Sequence, residues 1–188
     1  MKAGIGKPVY PGVAIGKAVV YRKQPNDASV KLETPAQEQK KFHAAVAAAK
    51  SQLTQLYENA KATVGEEQAA IVEVQLLMLE DPDYLEAVAD AISAGDSAAV
   101  AAAECGEKLA MMFAALEDRY MQARAADIQD ASGRVAGILR GDRAFSLPDG
   151  KFILVAEDLS PSETIQLPRE RILALVTRQG SYSSHTAI

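Results

Sequence analysis

The chain has one cysteine, Cys105, among 188 residues. A single thiol excludes an intrachain disulfide and supplies no metal cluster, and Cys105 reads as a small buried helix residue. Histidine is almost as scarce: only His43 and His185 are present. No apolar run approaches the ~20 residues of a membrane-spanning helix. Met1 is followed by no apolar segment of the kind that marks a secretory signal. There is no basic excess either, the formal charge being −5. These absences predict a soluble, cytoplasmic protein that binds neither nucleic acid nor membrane. What is there fits that reading. Hydrophobic residues make up 48% and charged residues 24%, a globular balance rather than a disordered one. The length allows one or two small domains with a substantial core.

The charge is unevenly spread. Residues 34–142 carry 9 Lys and Arg against 18 Asp and Glu, a net of −9. The remainder carries 11 against 7, a net of +4, and together these give the −5. An acidic middle suits a basic protein partner, and a basic remainder suits phosphorylated ligands. Simple solvated surface accounts for both counts equally well.

Strand signals occur at the two ends of the chain and almost nowhere between. Ala3–Ile5 and Ala14–Tyr21 are short apolar runs on either side of Pro11-Gly12. Lys151–Glu157 follows the turn Pro148-Asp149-Gly150, and Arg171–Thr177 has the length and β-branching of a buried strand. The middle is helical. Thr34-Pro35-Ala36-Gln37 reads as an N-cap, a proline at the first helical position and a capping-box Gln. Phe42, Val46, Ala49, Leu53 and Leu56 then hold a three–four period. A second helix starts near Glu66, is broken and restarted at Asp81-Pro82-Asp83, and ends at Gly95. A third, alanine-rich helix opens at Asp96 or Ser97. A kink near Asp118 leads to a fourth, which ends at Arg140-Gly141. The expected fold class is mixed α+β: an antiparallel four-helix bundle at 33–142, inserted into a small α/β domain made of 1–24 and 143–188.

The last residues carry the chemistry. Gly180 ends a turn, and Ser181, Tyr182, Ser183, Ser184 and Thr186 surround His185. A strand, a glycine turn and hydroxyl-rich residues opening a helix can hold an anion, because helix N-termini present unpaired N–H groups and the positive end of the dipole. The same dipole favours neutral imidazole, the nucleophilic form. A phosphoryl group on one ring nitrogen would sit among N–H and O–H donors. A lone histidine near a chain end is more often a surface or structural residue, and the residues alone leave both readings standing. Ser160-Pro161-Ser162-Glu163 is a second capping box, which makes Thr164 a first-turn residue of a short helix. The segment from Glu66 to Glu80 is unusual in another way. Ile71, Leu76, Leu77, Met78 and Leu79 are too many neighbouring apolar positions for one buried stripe. Either all are core, or some form an exposed apolar patch ringed by carboxylates.

Three segments carry a family resemblance: YPGVAIGKAVVY (Tyr10–Tyr21), AEDLSPSETIQL (Ala156–Leu167) and GSYSSHTAI (Gly180–Ile188). With GEEQAAIVEVQLLMLED and RAADIQD between them, in the same order and spacing, they resemble Enzyme I of the bacterial phosphotransferase system. The resemblance covers nearly the whole chain and corresponds to the phosphohistidine-carrying, HPr-binding N-terminal half of that family. The family writes its motif Gly-Gly-x-Thr-Ser-His-Thr; here Ser181 replaces the second glycine and Ser183 the threonine.

The resemblance implies a phosphoryl transfer from phosphoenolpyruvate through His185 to a histidine of HPr, the small phosphocarrier protein. It implies Thr164 as partner of His185, with Gly180, Ser183, Ser184 and Thr186 around the phosphate. It implies Glu66, Glu67, Glu73, Met78 and Arg124 as HPr contacts, with Gln75 where many members have a histidine. The family's phosphoenolpyruvate site and its Mg²⁺ ion lie on a separate C-terminal barrel. No cofactor is therefore expected in this chain, the α/β swivelling domain is expected to be truncated at its C-terminus, and phosphoenolpyruvate alone is expected not to react. The alternatives are the phosphohistidine unit of a pyruvate phosphate dikinase-like enzyme and a non-catalytic helical interaction module. The helical insertion argues for Enzyme I.

Overall fold

The computed structural model describes residues 6–10, 12–22, 32–63, 65–142 and 147–178. The chain divides into two compact units. One comprises residues 24–144 and 160–165, the other residues 1–23, 145–159 and 166–188.

The first unit is helical: α1 (Pro35–Thr63), α2 (Glu66–Met78), α3 (Pro82–Ala94), α4 (Ala98–Ala114), α5 (Arg119–Arg140) and the short α6 (Pro161–Ile165). Local chemistry sets most of the boundaries. At the start of α1, the Thr34 N–H donates to Gln37 Oε1 at 3.1 Å. Asp81 caps α3 by accepting from the N–H groups of Asp83 and Tyr84, with Pro82 at the first helical position. Asp118 caps α5 in the same way. Gly95 and Gly141 end α3 and α5 in the left-handed conformation that L side chains resist. The break at Asp81-Pro82 is complete, so the expected second helix is two helices and the bundle has five long members rather than four.

The core of this unit follows the expected period. Phe42, Val46, Ala49, Leu53 and Leu56 of α1 are buried together with Tyr84, Val88 and Ile92 of α3. The Tyr84 hydroxyl is buried and donates to Ala102 O at 3.2 Å, and its burial pushes its pKa well up. The turn at 115–118 folds α5 back on α4. Their alanine-rich faces meet so closely that a Cβ on Gly106 would lie 2.1 Å from Ser132 Oγ and 2.2 Å from Ser132 Cβ.

One cap in this unit comes from far away. Glu38, on α1, is buried, and its carboxylate accepts from the Ala98 N–H at the start of α4 at 2.8 Å and from Lys41 Nζ at 3.1 Å. Desolvation pushes its pKa up, but the Ala98 N–H and Lys41 together outweigh this, and the carboxyl titrates below its ordinary range. A folded-state pKa below the unfolded value adds stability that is full at neutral pH and is lost as pH falls through the folded pKa. Glu38→Gln is therefore expected to destabilise the chain at pH 7 by about 1.5–3 kcal/mol, the range of a charge-assisted hydrogen bond. The difference from wild type should shrink as pH falls below the ordinary carboxylate range. Urea titrations of both proteins at pH 7 and at pH 4 and below check this; a pH-independent difference counts against it.

The second unit is a three-stranded parallel sheet in the order β1 (Lys17–Tyr21), β2 (Phe152–Ala156), β3 (Ile172–Thr177). Lys17 pairs with Phe152 and Tyr21 with Ala156; Ala156 pairs in turn with Thr177, with an irregularity between Phe152 and Ile153. Phe152, Leu154 and Ala156 alternate onto one face and are buried with Leu159, as the period-two pattern requires. The turn before β2 is held by Arg171, whose guanidinium donates to Pro148 O and, at 3.3 Å, to Gly150 O. Because all three strands are parallel, their C-terminal ends share one edge. The expected strand at Ala3–Ile5 lies outside the described residues.

Residues 160–165 do not join this unit, although the sequence reading assigned all of 143–188 to the α/β domain. Ile165 packs on the helical core instead, and α6 is hydrogen-bonded to α5. A five-residue helix has too few internal bonds to stand alone, and its side-chain partners decide where it belongs.

Candidate functional site

In the chain, β3 leads into the segment that holds Gly180, Ser183, Ser184, His185 and Thr186, all outside the described residues. Thr164 is described. It lies half-buried on α6, which opens with the expected capping box: the Ser160 N–H donates to Glu163 Oε2 at 2.7 Å, and the Glu163 N–H to Ser160 Oγ at 3.4 Å. Thr164 Oγ1 donates to Ser160 O at 3.0 Å. Its one hydroxyl proton is thus used within its own helix, and its oxygen keeps accepting capacity.

α6 is anchored by side chains that no local motif announces. Asp130 Oδ2 accepts from the Ser162 N–H at 2.8 Å, and Asp130 Oδ1 from the Ser162 hydroxyl at 3.0 Å. Gln75 Nε2, from α2, also donates to Asp130 Oδ2 at 2.9 Å. Arg134 Nη2 donates to Ser162 Oγ at 2.6 Å, and Arg134 Nη1 to Gln52 Oε1 of α1 at 3.2 Å. Gln75 is fully buried, so it belongs to this network and not to an exposed contact surface.

The acidic helix presents a second feature. On α2, Ala69, Val72, Gln75 and Met78 face inward. Ala70, Glu73, Leu77 and Glu80 make the exposed row at three–four spacing. Leu77 is 64% exposed, four residues after Glu73 and three before Glu80. This is an apolar side chain standing in a row of carboxylates. Met78, implied as a contact, is 7% exposed and packs in the core; one residue's shift is 100° around a helix, which carries it off the outer row. The exposed apolar side chain of the row is Leu77, which counting in threes and fours from Ala69 and Val72 would have identified. Glu66 is exposed and paired with Lys61 of α1 at 2.9 Å. The Glu67 side chain lies outside the described residues. Arg124 is half-buried: its guanidinium carbon lies 4.3 Å from the centre of the Tyr120 ring, and Nη1 is 3.0 Å from Asp127 Oδ2. Ring and carboxylate hold it as a fixed cation.

The turn between α4 and α5 adds an apolar patch that the sequence reading missed. Met111, Met112, Leu116 and Tyr120 are all large and exposed, Met112 by 67%. Their signal was present: two adjacent methionines followed by a helix break cannot both face one core. Among the described residues no three His, Cys, Asp or Glu side chains group where a metal ion could be held. No helix among them is long and apolar enough to cross a membrane.

A parallel α/β unit whose first two strands are separated by an acidic helical unit is the architecture of a phosphoenolpyruvate-utilising protein's N-terminal part. The chain belongs to that family: the model "PEP-utilising enzyme, N-terminal" matches residues 5–124, and "PEP-utilising enzyme, mobile domain" matches residues 148–188. Within the family it is similar to phosphoenolpyruvate-protein phosphotransferases. That of Staphylococcus epidermidis is 37% identical over 94% of this chain and 32% of its own length. That of Haemophilus influenzae is 36% identical over 95% of this chain and 32% of its own, and that of Bacillus subtilis 37% over 94% and 32%. The chain thus spans about a third of the length of these relatives. Among solved structures, the solution structure of an Enzyme I aligns at a TM-score of 0.78 and 30% identity, covering 95% of this chain and 75% of that one. The N-terminal domain of a nitrogen-type Enzyme I aligns at 0.66 and 30%, covering 96% and 76%.

Proposed function

We propose that this chain is the phosphohistidine-carrying and carrier-docking part of an Enzyme I, acting in the cytoplasm in the first step of sugar uptake by a phosphotransferase system. His185 exchanges a phosphoryl group with a histidine of HPr. A bare imidazole nitrogen attacks phosphorus, the N–P bond on the other histidine breaks, and its electron pair returns to that ring. The phosphoenolpyruvate-binding barrel and its Mg²⁺ belong to a further part of the full-length protein. The observation that carries this reading is the match of residues 148–188, which include His185, to the family's mobile domain. Gly180, Ser183, Ser184 and Thr186 are the proposed phosphate donors. Thr164 is the proposed partner of His185. Since it donates to Ser160 O, it would accept from one ring N–H and leave the opposite nitrogen free to attack.

HPr is proposed to dock on the helical unit, on the α2 row of Glu66, Glu73 and Leu77 and on the apolar α4–α5 turn, with Arg124 beside Tyr120. Incubation with ³²P-labelled phospho-HPr tests the central claim. One acid-labile label per chain is expected; no label, or an acid-stable one, would overturn it.

Charge reversal tests the docking. Glu66→Lys with Glu73→Lys is expected to slow association with HPr by about tenfold at low salt. The effect should fade near 0.15 M salt, where screening acts over ~8 Å. Stopped-flow association rates across a salt series read it. Rates that ignore both salt and substitution count against an acidic docking face.

A further inference from the structure

We infer that the α/β unit carries a self-association surface: the uncovered face of its sheet and the apolar arm that leads into β1 bind a second copy of this chain, the arm of each copy lying along the open face of the other. Face and arm belong to one unit, and the inference does not rest on the function proposed above.

The alternation that buries Phe152, Leu154 and Ala156 on one side of the sheet sends their neighbours to the other. The register sets Ala18 beside Ile153 and Ala174, and Val20 beside Val155 and Val176. All six are apolar, yet Val20 is 54% and Val176 51% exposed. A sheet built to face water carries polar side chains on its open side, whereas purely parallel sheets are covered on both faces. This face therefore has the composition of a covered one. Leu173 extends it. At the strand irregularity its side chain reaches across to β1, where Cδ1 would lie 2.6 Å from a Cβ on Gly16.

The arm supplies matching surface. Val9, Tyr10, Val13 and Ile15 are all exposed, the last three by 90% or more. Its own face is closed to this arm. The chain runs directly from Ile15 through Gly16 into β1, so folding back onto the same sheet would need a reversal at Gly16, in space that Leu173 fills. The arm of a second copy needs no such reversal. Area requires both features. With about 100 Å² for an uncovered aliphatic side chain and ~200 Å² for tyrosine, face and arm together offer on the order of 600 Å² per copy. Two copies would then bury on the order of 1,200 Å², the lower bound of a standard interface, and either feature alone falls well short.

Charge sets the sign of the salt effect. Lys17, Arg22 and Lys151 are exposed at the strand ends. The carboxylates there are taken up, Asp149 by Arg171 and Glu157 by Arg178. Two copies bring apolar surface to apolar surface inside like-charged rims. Salt screens that repulsion, so association should tighten as salt rises. A contact between the basic unit of one copy and the acidic unit of another would weaken instead.

Sedimentation of the whole chain tests this across roughly 1 μM to 1 mM. A monomer–dimer equilibrium is expected, with a dissociation constant on the order of 10–100 μM. The constant should fall in ~1 M NaCl, where screening acts over ~3 Å. Tyr10→Ser with Val13→Ser, on the arm, should weaken dimerisation at least tenfold; both side chains are exposed, so circular dichroism should stay that of wild type. Val20→Thr with Val176→Thr, which keeps β-branching on the strands, should weaken it equally. Val100→Thr, at an exposed position of α4, should leave it within twofold. A chain that stays monomeric throughout overturns the inference. So does a dimer that keeps its affinity in the arm variant, or one that salt dissociates.

Discussion

His185→Ala is expected to take no phosphate from phospho-HPr while keeping its helical circular dichroism and its affinity for HPr. The loss should be complete and not partial. Positioning, hydroxyl donors and a helix N-terminus can lower the barrier to phosphoryl transfer, but without a nucleophilic nitrogen no N–P bond forms. Only one other imidazole is present. His43 is exposed on α1, with its ring 5.8 Å from that of Phe42. It lies beside an aromatic edge, with no hydroxyl-rich segment around it. His43→Ala should therefore take up label at the wild-type rate. The reverse pattern, with His185→Ala active and His43→Ala dead, would move the site to α1. Acid treatment separates a third outcome: phosphohistidine loses its label, whereas a phosphorylated serine among Ser181, Ser183 and Ser184 keeps it.

Gly106→Ala should give the largest loss of stability from a single added methyl group. In most helices this change is favourable, since alanine gains about 1 kcal/mol over glycine in helix propensity. Here the added Cβ would overlap Ser132 Oγ at 2.1 Å and Ser132 Cβ at 2.2 Å. Rotating the Ser132 hydroxyl away leaves the second overlap, because a Cβ has no rotamer. α4 and α5 must separate, and overpacking of this kind costs roughly 1–3 kcal/mol or more. The net expectation is a loss of about 1–2 kcal/mol, and more for Gly106→Val. A double-mutant cycle isolates the cause. Ser132→Gly removes the opposing Cβ and should rescue Gly106→Ala, whereas Ser132→Ala keeps it and should not. Thermal melts of the set decide the matter; a Gly106→Ala protein that melts above wild type would mean that the two helices are not in contact at this point.

These two substitutions differ in what the sequence discloses. The histidine segment stands out in the sequence because its residues are contiguous, and the helix boundaries are legible for the same reason. Thr34 with Gln37, Asp81 with Pro82, and Asp118 with Tyr120 act within three residues of one another. What the sequence hides is chemistry between residues far apart in the chain. The Glu38 cap on Ala98, the Gly106–Ser132 contact and the Gln75–Asp130–Ser162 network each join positions that no window spans. Each is also made of residues with ordinary local explanations: a first-turn glutamate, a glycine in an alanine-rich helix, a helical aspartate. The placement of α6 shows the consequence. Its capping box and length can be read directly, but the unit it belongs to is decided by Asp130, 32 residues before Ser162. Met78 shows a different limit. A run of four apolar residues from Leu76 to Leu79 carries no internal phase. The inward stripe is set by residues upstream, and it leaves Leu77 rather than Met78 outside.

The pairing of β1 with β2 has a consequence for how the chain reaches its native state. Tyr21 and Phe152 are separated by the 130 residues from Arg22 to Lys151, yet they lie on adjacent strands of one ladder. On a ribosome β1 emerges first and has no partner until nearly all of that intervening stretch has been made. A parallel ladder cannot form by a tight turn, and closing a loop of this length in a disordered chain is entropically unfavourable. The intervening helices are stabilised by contacts much closer in sequence, which assemble quickly. Once they have folded, most of the loop is no longer slack, and closure involves only the short stretches on either side. The expected order is therefore bundle first and sheet last, since the helices gain their contacts without the ladder, while the ladder needs strands from both ends of the chain.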